Sequence, residues 1–112
     1  MDGLMDFKSN GDVAIHVTDV QRSRTFYRDK LGFRLVKDSD ETIVFETGKF
    51  KLYVSKDERH LPFIPSLSVR NLEAAKKFLV GSGCEIVEEQ PLSKSLYFRD
   101  PLGQIFDIIE TK

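Results

Sequence analysis

The chain has 112 residues, 40% of them hydrophobic and 31% charged, and its 17 basic and 18 acidic residues give a formal net charge of -1. This near-balance argues against nucleic acid as a partner, because binding phosphate requires a clustered basic excess. The single cysteine, Cys84, excludes an internal disulfide and a zinc site built from cysteines. With no long apolar run and no pattern typical of a signal peptide, we expect a soluble cytoplasmic protein with no membrane segment.

The first half of the chain is predicted to form a strand, a helix and three further strands. Residues 1–10 mix small polar and apolar residues and are predicted to be a flexible tail. Asp19 is a good helix N-cap and Gly32 a good helix stop, so the helix lies between them. β-branched runs and turn residues then place the strands at 13–17, 33–37, 42–47 and 50–54. The first module is therefore residues 11–56.

The second half, residues 63–112, repeats this order after a charged linker at residues 57–62. Asn71 caps the second helix, and Gly83 follows its end. The strands are predicted at 63–69, 84–87, 96–99 and 105–110. Val17 and Val69 lie 52 residues apart, as do Phe26 and Phe78, whereas Gly48 and Gly103 lie 55 apart. Because the spacing changes only at a loop, the pattern indicates one βαβββ unit present twice.

Four motifs carry a resemblance to a known superfamily. They are His16-Val17-Thr18-Asp19, Phe26-Tyr27, Leu31-Gly32-Phe33 and Asp100-Pro101-Leu102-Gly103-Gln104. In order and spacing they resemble the vicinal oxygen chelate superfamily, which includes glyoxalase I, bleomycin-resistance proteins and extradiol dioxygenases. Over residues 12–112 the resemblance implies an α+β fold, in which tandem βαβββ modules form a curved, cup-like mixed sheet with the helices packed outside. The half-cups would close around a pocket within one chain or across a homodimer, and we expect a homodimer.

The resemblance also implies four positions for metal ligands, on the first and last strands of each half-cup. Here they fall on His16, Leu52, Ser68 and Asp107. Leucine cannot bind a metal and a serine hydroxyl is a poor ligand, so two good ligands remain where three are usual. We therefore predict no cofactor, with a divalent metal (Zn, Ni, Mn or Fe) as the alternative.

Alternation along the strands selects the other residues of the pocket wall. Ala14, His16 and Thr18 share one face of the first strand, whereas Ile15 and Val17 face the helix. Small and polar side chains suit a cavity wall, although a histidine hydrogen-bonded within the core is the alternative for His16. The sequence therefore predicts that His16 and Thr18 face the cup.

The strand at 50–54 is predicted to give this wall an apolar part. Phe50, Leu52 and Val54 are inferred to share the cup face, and either Tyr97 or Phe98 adds an aromatic surface. Arg70, just after the first strand of the second module, either meets an anionic ligand at the rim or is simply solvated. The ligand-binding candidates are Thr18, Phe50, Leu52, Ser68 and Tyr97.

His16 and Asp107 are the candidate catalytic residues as well as the incomplete metal set. A carboxylate among isoleucines needs a partner, and a histidine beside a carboxylate can abstract a proton. An aspartate at a wet rim is the alternative for Asp107.

Two functions follow from these candidates. The first is a glyoxalase- or bleomycin-resistance-like protein that binds a small molecule in an apolar cup without a full metal site. The alternative is a divalent-metal-dependent lyase, isomerase or dioxygenase acting on a substrate with vicinal oxygens. An interaction module with a vestigial pocket is a third possibility. A ferredoxin-like tandem is the alternative fold, and it would lack the third consecutive strand in each unit.

Overall fold

A computed structural model describes residues 6–59 and 61–111, and the chain divides into two compact units. The first unit is residues 11–64, and the second unit is residues 65–112 together with residues 1–10. Residues 1–5 of the predicted tail, as well as His60 of the predicted linker, lie outside the described residues.

The first unit contains the predicted strand, helix and three strands. Its elements are β1 (Lys8–Val17, whose first three residues belong to the second unit), α1 (Val20–Arg24), a π-helix (Thr25–Lys30), β2 (Arg34–Asp38), β3 (Thr42–Glu46) and β4 (Lys51–Lys56). The strand order is β2-β3-β4-β1, with β1 parallel to β4 and the other pairs antiparallel. Asp19 caps α1, because its carboxylate accepts a hydrogen bond from the Arg22 amide at 3.0 Å.

The second unit repeats this arrangement. Its elements are β5 (Ile64–Val69, whose first residue belongs to the first unit), α2 (Leu72–Gly81), β6 (Glu85–Gln90), a 3₁₀ turn (Pro91–Ser93), β7 (Ser95–Arg99) and β8 (Ile105–Glu110). The order is β5-β8-β7-β6, with β5 parallel to β8. The register shifts between Leu35 and Lys37 in the first unit and between Ile86 and Glu88 in the second. The predicted α+β fold of two βαβββ modules is therefore confirmed.

Each unit has its own apolar core between its sheet and its helix. In the first unit the buried residues are Ile15, Val20, Ile43, Phe45, Leu52 and Val54, with Phe50 packed against them. In the second unit they are Val69, Ala75, Leu79, Leu96, Phe98 and Ile108. Ile15 lies in the core as predicted. The prediction that Phe50, Leu52 and Val54 share the cup face is wrong, because all three pack in the core with Ile15.

Two elements differ from the sequence prediction. β1 begins at Lys8, so the last three residues of the predicted tail are strand. The predicted helix turns into a π-helix after Arg24. In it Tyr27 packs on Phe33 and Phe45, whereas Phe26 and Leu31 are each 49% exposed.

Candidate functional site

The sheet of the second unit carries a row of polar side chains on the face opposite its helix. Ser66 pairs with Asp107 in register, Asp107 with Tyr97, and Tyr97 with Glu88, so the row crosses all four strands. We call these four residues together with Ser68 the polar face of the second unit. Ser66 and Tyr97 are each 7% exposed, whereas Ser68, Glu88 and Asp107 are half-buried.

A directed chain of hydrogen bonds organises this face. The Asn10 side-chain amide donates to Ser66 Oγ at 2.9 Å and to Ser68 Oγ at 3.2 Å. Ser66 Oγ in turn donates to Asp107 Oδ2 at 2.6 Å, the short distance expected for a hydroxyl that donates to a carboxylate. Because the amide supplies a hydrogen to each serine, the hydroxyl hydrogens of both serines can point elsewhere. Ser66 thus accepts a hydrogen bond from Asn10 and donates one to Asp107.

The corresponding face of the first unit mixes acid, base and aromatic groups. Along β1 it carries Asp12, Ala14 and His16, and their register partners on β4 are Lys51, Tyr53 and Ser55, respectively. Ser55 also contacts Thr42 on β3, with 3.4 Å between the two hydroxyl oxygens. Ala14 has the smallest side chain of this set and is the register partner of Tyr53. The Tyr53 ring therefore has little side-chain volume beside it on β1.

Burial shifts two pKa values on this face upward. Desolvation raises the pKa of the Asp12 carboxyl, and the positive charge of Lys51 opposes this only in part. Desolvation and the nearby Asp12 charge both raise the pKa of the Tyr53 phenol. Tyr53 therefore stays a neutral hydrogen-bond donor over the physiological range.

His16 is half-buried near an ion pair at the end of the same unit. Arg59 donates to Asp57 through Nη2 at 2.7 Å and through its own amide at 2.9 Å. These hydrogen bonds hold the pKa of Asp57 far below its usual range, and His16 adds a smaller electrostatic contribution. Thr18, the other predicted residue of this strand end, lies just beyond β1 and is exposed.

The structure corrects one of the four positions that the resemblance assigned to a metal. Ala14 and Ser66 are 52 residues apart and therefore correspond in the repeat. Their partners are Tyr53 and Asp107, so the counterpart of Asp107 in the first unit is Tyr53 and not Leu52. Leu52 is 3% exposed and points into the core.

The corrected set of donors does not fit a divalent metal. It contains His16, a protonated Tyr53 phenol, a Ser68 oxygen that already accepts from Asn10, and an Asp107 carboxylate bonded to Ser66. Residues 6–59 and 61–111 contain no group of three or more His, Cys, Asp or Glu side chains that could hold a metal ion. A resident catalytic metal usually takes three good protein ligands.

The structure places the other predicted residues as follows. Tyr97 lies on the face of Asp107, and Phe98 lies in the core, which resolves the choice between them. His16 belongs to the first unit and Asp107 to the second. Asn10 was missed, because Lys8-Ser9-Asn10 has neither β-branched residues nor alternation to indicate a strand. No helix within the described part of the chain is long and apolar enough to cross a membrane.

Sequence comparison identifies a relative for part of the first module only. Residues 12–48 match the family described as bleomycin resistance protein-like N-terminal. No curated protein sequence matches the chain.

Solved structures match nearly the whole chain. An extradiol ring-cleaving dioxygenase from Brevibacterium fuscum is 21% identical with a TM-score of 0.70, and the match covers 96% of this chain and 34% of that one. A hypothetical protein from Bacillus halodurans is 16% identical with a TM-score of 0.71, and the match covers 96% of each chain. A protein from Legionella pneumophila described as an NAD-dependent benzaldehyde dehydrogenase is 17% identical with a TM-score of 0.70, over 90% of this chain and 98% of that one.

The chain thus spans about a third of the dioxygenase and nearly all of the two shorter proteins. At these identities the likeness concerns the fold, and the same fold carries different named activities. Together with the match of residues 12–48, it confirms the resemblance of this chain to the vicinal oxygen chelate superfamily.

Proposed function

We propose that the chain binds a small molecule without a resident metal, and that the polar face of the second unit holds a hydrogen-bond donor of that ligand. The observation that carries this proposal is the chain from Asn10 through Ser66 to Asp107. A half-buried carboxylate that accepts a short hydrogen bond from a neighbouring hydroxyl is a typical anchor for a hydroxyl or amine. The match of residues 12–48 to a bleomycin-resistance-like family supports a binding role.

The ligand of this site is more polar than an apolar cup would select. Phe50, Leu52 and Val54 belong to the core of the first unit and offer no apolar wall to a ligand. A ligand that covers this face without offering hydrogen bonds would remove the exposed part of its half-buried polar groups from water, which costs more than an equivalent apolar contact returns. Selection at this face therefore favours molecules that carry a donor over apolar molecules of the same shape.

The alternative function is a divalent-metal-dependent lyase, isomerase or dioxygenase. The activity named for the Brevibacterium fuscum neighbour supports it, as does the pair of candidate residues His16 and Asp107. The donor set opposes it, since Tyr53 and Ser68 replace the charged ligands that such an ion needs. Metal analysis of protein purified without an affinity metal column separates the two functions. About one tightly bound ion per chain would favour the enzyme.

The binding proposal is tested by nuclear magnetic resonance titration with small alcohols, amines and amides. We expect the bound compounds to shift the amide signals of Ser66, Ser68 and Asp107. Asp107→Asn keeps the shape of the side chain and should weaken binding about tenfold or more, because a charged hydrogen bond is lost. Asp40→Asn, in an exposed turn of the first unit, is the matched control and should change nothing.

Two outcomes would contradict this proposal. One is that no donor-bearing compound shifts the signals of the polar face. The other is that Asp107→Asn binds such compounds as well as the unaltered chain does.

A homodimer in the cytoplasm is also part of the proposal. It rests on the sequence analysis and the superfamily resemblance. Sedimentation equilibrium tests the dimer, since a mass of one chain at all concentrations would exclude it.

A further inference from the structure

A cleft of about 360 Å³ lies in the second unit beside the polar face. We call it the basic cleft, and its lining residues are Asp6, Lys8, Ser68, Val69, Arg70 and Thr111. The cleft shares Ser68 with the polar face. It also contains Arg70, for which the sequence left open either a role in meeting an anionic ligand or simple solvation.

The cleft has an excess of positive charge. Lys8 and Arg70 contribute two cations, and Asp6 contributes one acid. The Lys8 ammonium is 3.7 Å from the Asp6 carboxylate, and both side chains are more than half exposed, so this ion pair neutralises little. Within residues 6–59 and 61–111, Arg70 forms no ion pair. Its guanidinium is therefore available to a carboxylate or phosphate, which it can bind through two parallel hydrogen bonds.

The hydroxyl of Ser68 adds a hydrogen-bond donor to this charge. Asn10 donates to Ser68 Oγ at 3.2 Å, so the oxygen of Ser68 is used as an acceptor and its own hydrogen is free to donate. No acceptor for that hydrogen is found in the described part of the chain. A half-buried hydroxyl with its hydrogen available, next to two cations, is suited to an oxyanion and poorly suited to a cation.

We propose that the basic cleft binds an oxyanion, a carboxylate or a phosphate, carried by the same ligand whose donor is held at Asp107. This inference rests on the proposed function and adds the charge of the ligand to it. Asp107 is the register partner of Ser66, and Ser68 lies two residues further along β5, so the Cα atoms of Asp107 and Ser68 are about 8 Å apart. The ligand is therefore a compact acid whose hydroxyl or amine lies about 8 Å from its oxyanion.

The test compares a rigid acid of this length with its neutral counterpart. The probes are 4-(hydroxymethyl)benzoate and 4-(hydroxymethyl)benzamide, titrated calorimetrically into the full chain at low salt. We expect the acid to bind about tenfold more tightly than the amide, since one charge-assisted interaction separates them. Arg70→Gln should remove most of this difference, because it weakens the acid much more than the amide. Lys77→Gln, an exposed cation of α2 outside the cleft, is the matched control.

Inorganic phosphate distinguishes the two oxyanions. If phosphate displaces the benzoate at lower concentration than acetate does, the natural oxyanion is a phosphate, and the reverse order indicates a carboxylate. Ser68→Ala should weaken the acid more than the amide, because the hydroxyl donates a stronger, charge-assisted hydrogen bond to the oxyanion than to the neutral amide oxygen.

The possible failures can be told apart. If acid and amide bind equally and both depend on Asp107, the basic cleft holds no oxyanion and the binding function stands. If neither probe binds but phosphate binds in a manner that depends on Arg70, the cleft is an oxyanion site and the proposed function is wrong. If none of the probes binds, both proposals are wrong.

Discussion

Replacing Leu52 by alanine tests which face of β4 points into the core. Leu52 is 3% exposed and packs with Ile15, Val20, Ile43, Phe45 and Val54. The substitution removes about three methylene-sized groups from the core, each worth about 0.8 kcal/mol. The cavity left behind adds to this loss, so we expect the free energy of unfolding to fall by about 3 to 4 kcal/mol.

The assay is urea denaturation followed by circular dichroism, with Tyr53→Phe as the control on the opposite face of the same strand. Tyr53 is half-buried, and its phenol points away from the core, so we expect the control to cost less than about 1 kcal/mol. At about 4 °C per kcal/mol, Leu52→Ala should also lower the melting temperature by about 12 °C or more. If Leu52→Ala cost less than about 1 kcal/mol while Tyr53→Phe cost several, Leu52 would face the pocket and the register described above would be wrong.

Two further predictions concern titration. Burial raises the pKa of the Asp12 carboxyl above its usual 3.8, so the folded state binds the carboxyl proton more tightly than the unfolded state does. The contribution of Asp12 to stability is therefore largest at low pH and is lost as pH rises through the raised pKa. In thermal melts the stability of Asp12→Asn relative to the unaltered chain should therefore increase as the pH rises from about 3 to about 7. A relative stability that decreases with rising pH would contradict this. Burial and the nearby Asp100 raise the pKa of the Cys84 thiol, so Cys84 should react with a thiol reagent more slowly than free cysteine and speed up in urea; equal rates before and after unfolding would contradict it.

Sequence alone predicted the parts of the fold that depend on local pattern. The alternation of Ala14, Ile15 and His16 placed Ile15 in the core, because β-strand side chains alternate strictly between faces. The matching spacings of Val17 with Val69 and of Phe26 with Phe78 revealed the repeated unit. The same alternation left Tyr97 and Phe98 undecided, and only strand pairing could choose between them.

The candidate site was less predictable because it depends on register. Aligning Gly48 with Gly103 placed Leu52 opposite Asp107 in the repeat, but the true counterpart, Tyr53, is one residue further along. A slip of one residue moves every side chain of a strand to the other face. This one-residue error at a turn therefore led to the prediction of an apolar pocket wall on β4, where the structure has polar side chains. Asn10 was out of reach for another reason, since its role depends on contacts with residues 56 and 58 positions away.

The boundary between the two compact units differs from the boundary between the two copies of the sequence repeat. The second copy starts near residue 63, yet the compact unit that contains it also takes residues 1–10 from the opposite end of the chain. A peptide ending at residue 62 and another beginning at residue 63 would each be a complete copy by pattern, but the second would lack the amide that links its two serines. The C-terminal copy of the repeat is therefore completed by a residue that precedes the N-terminal copy in the chain.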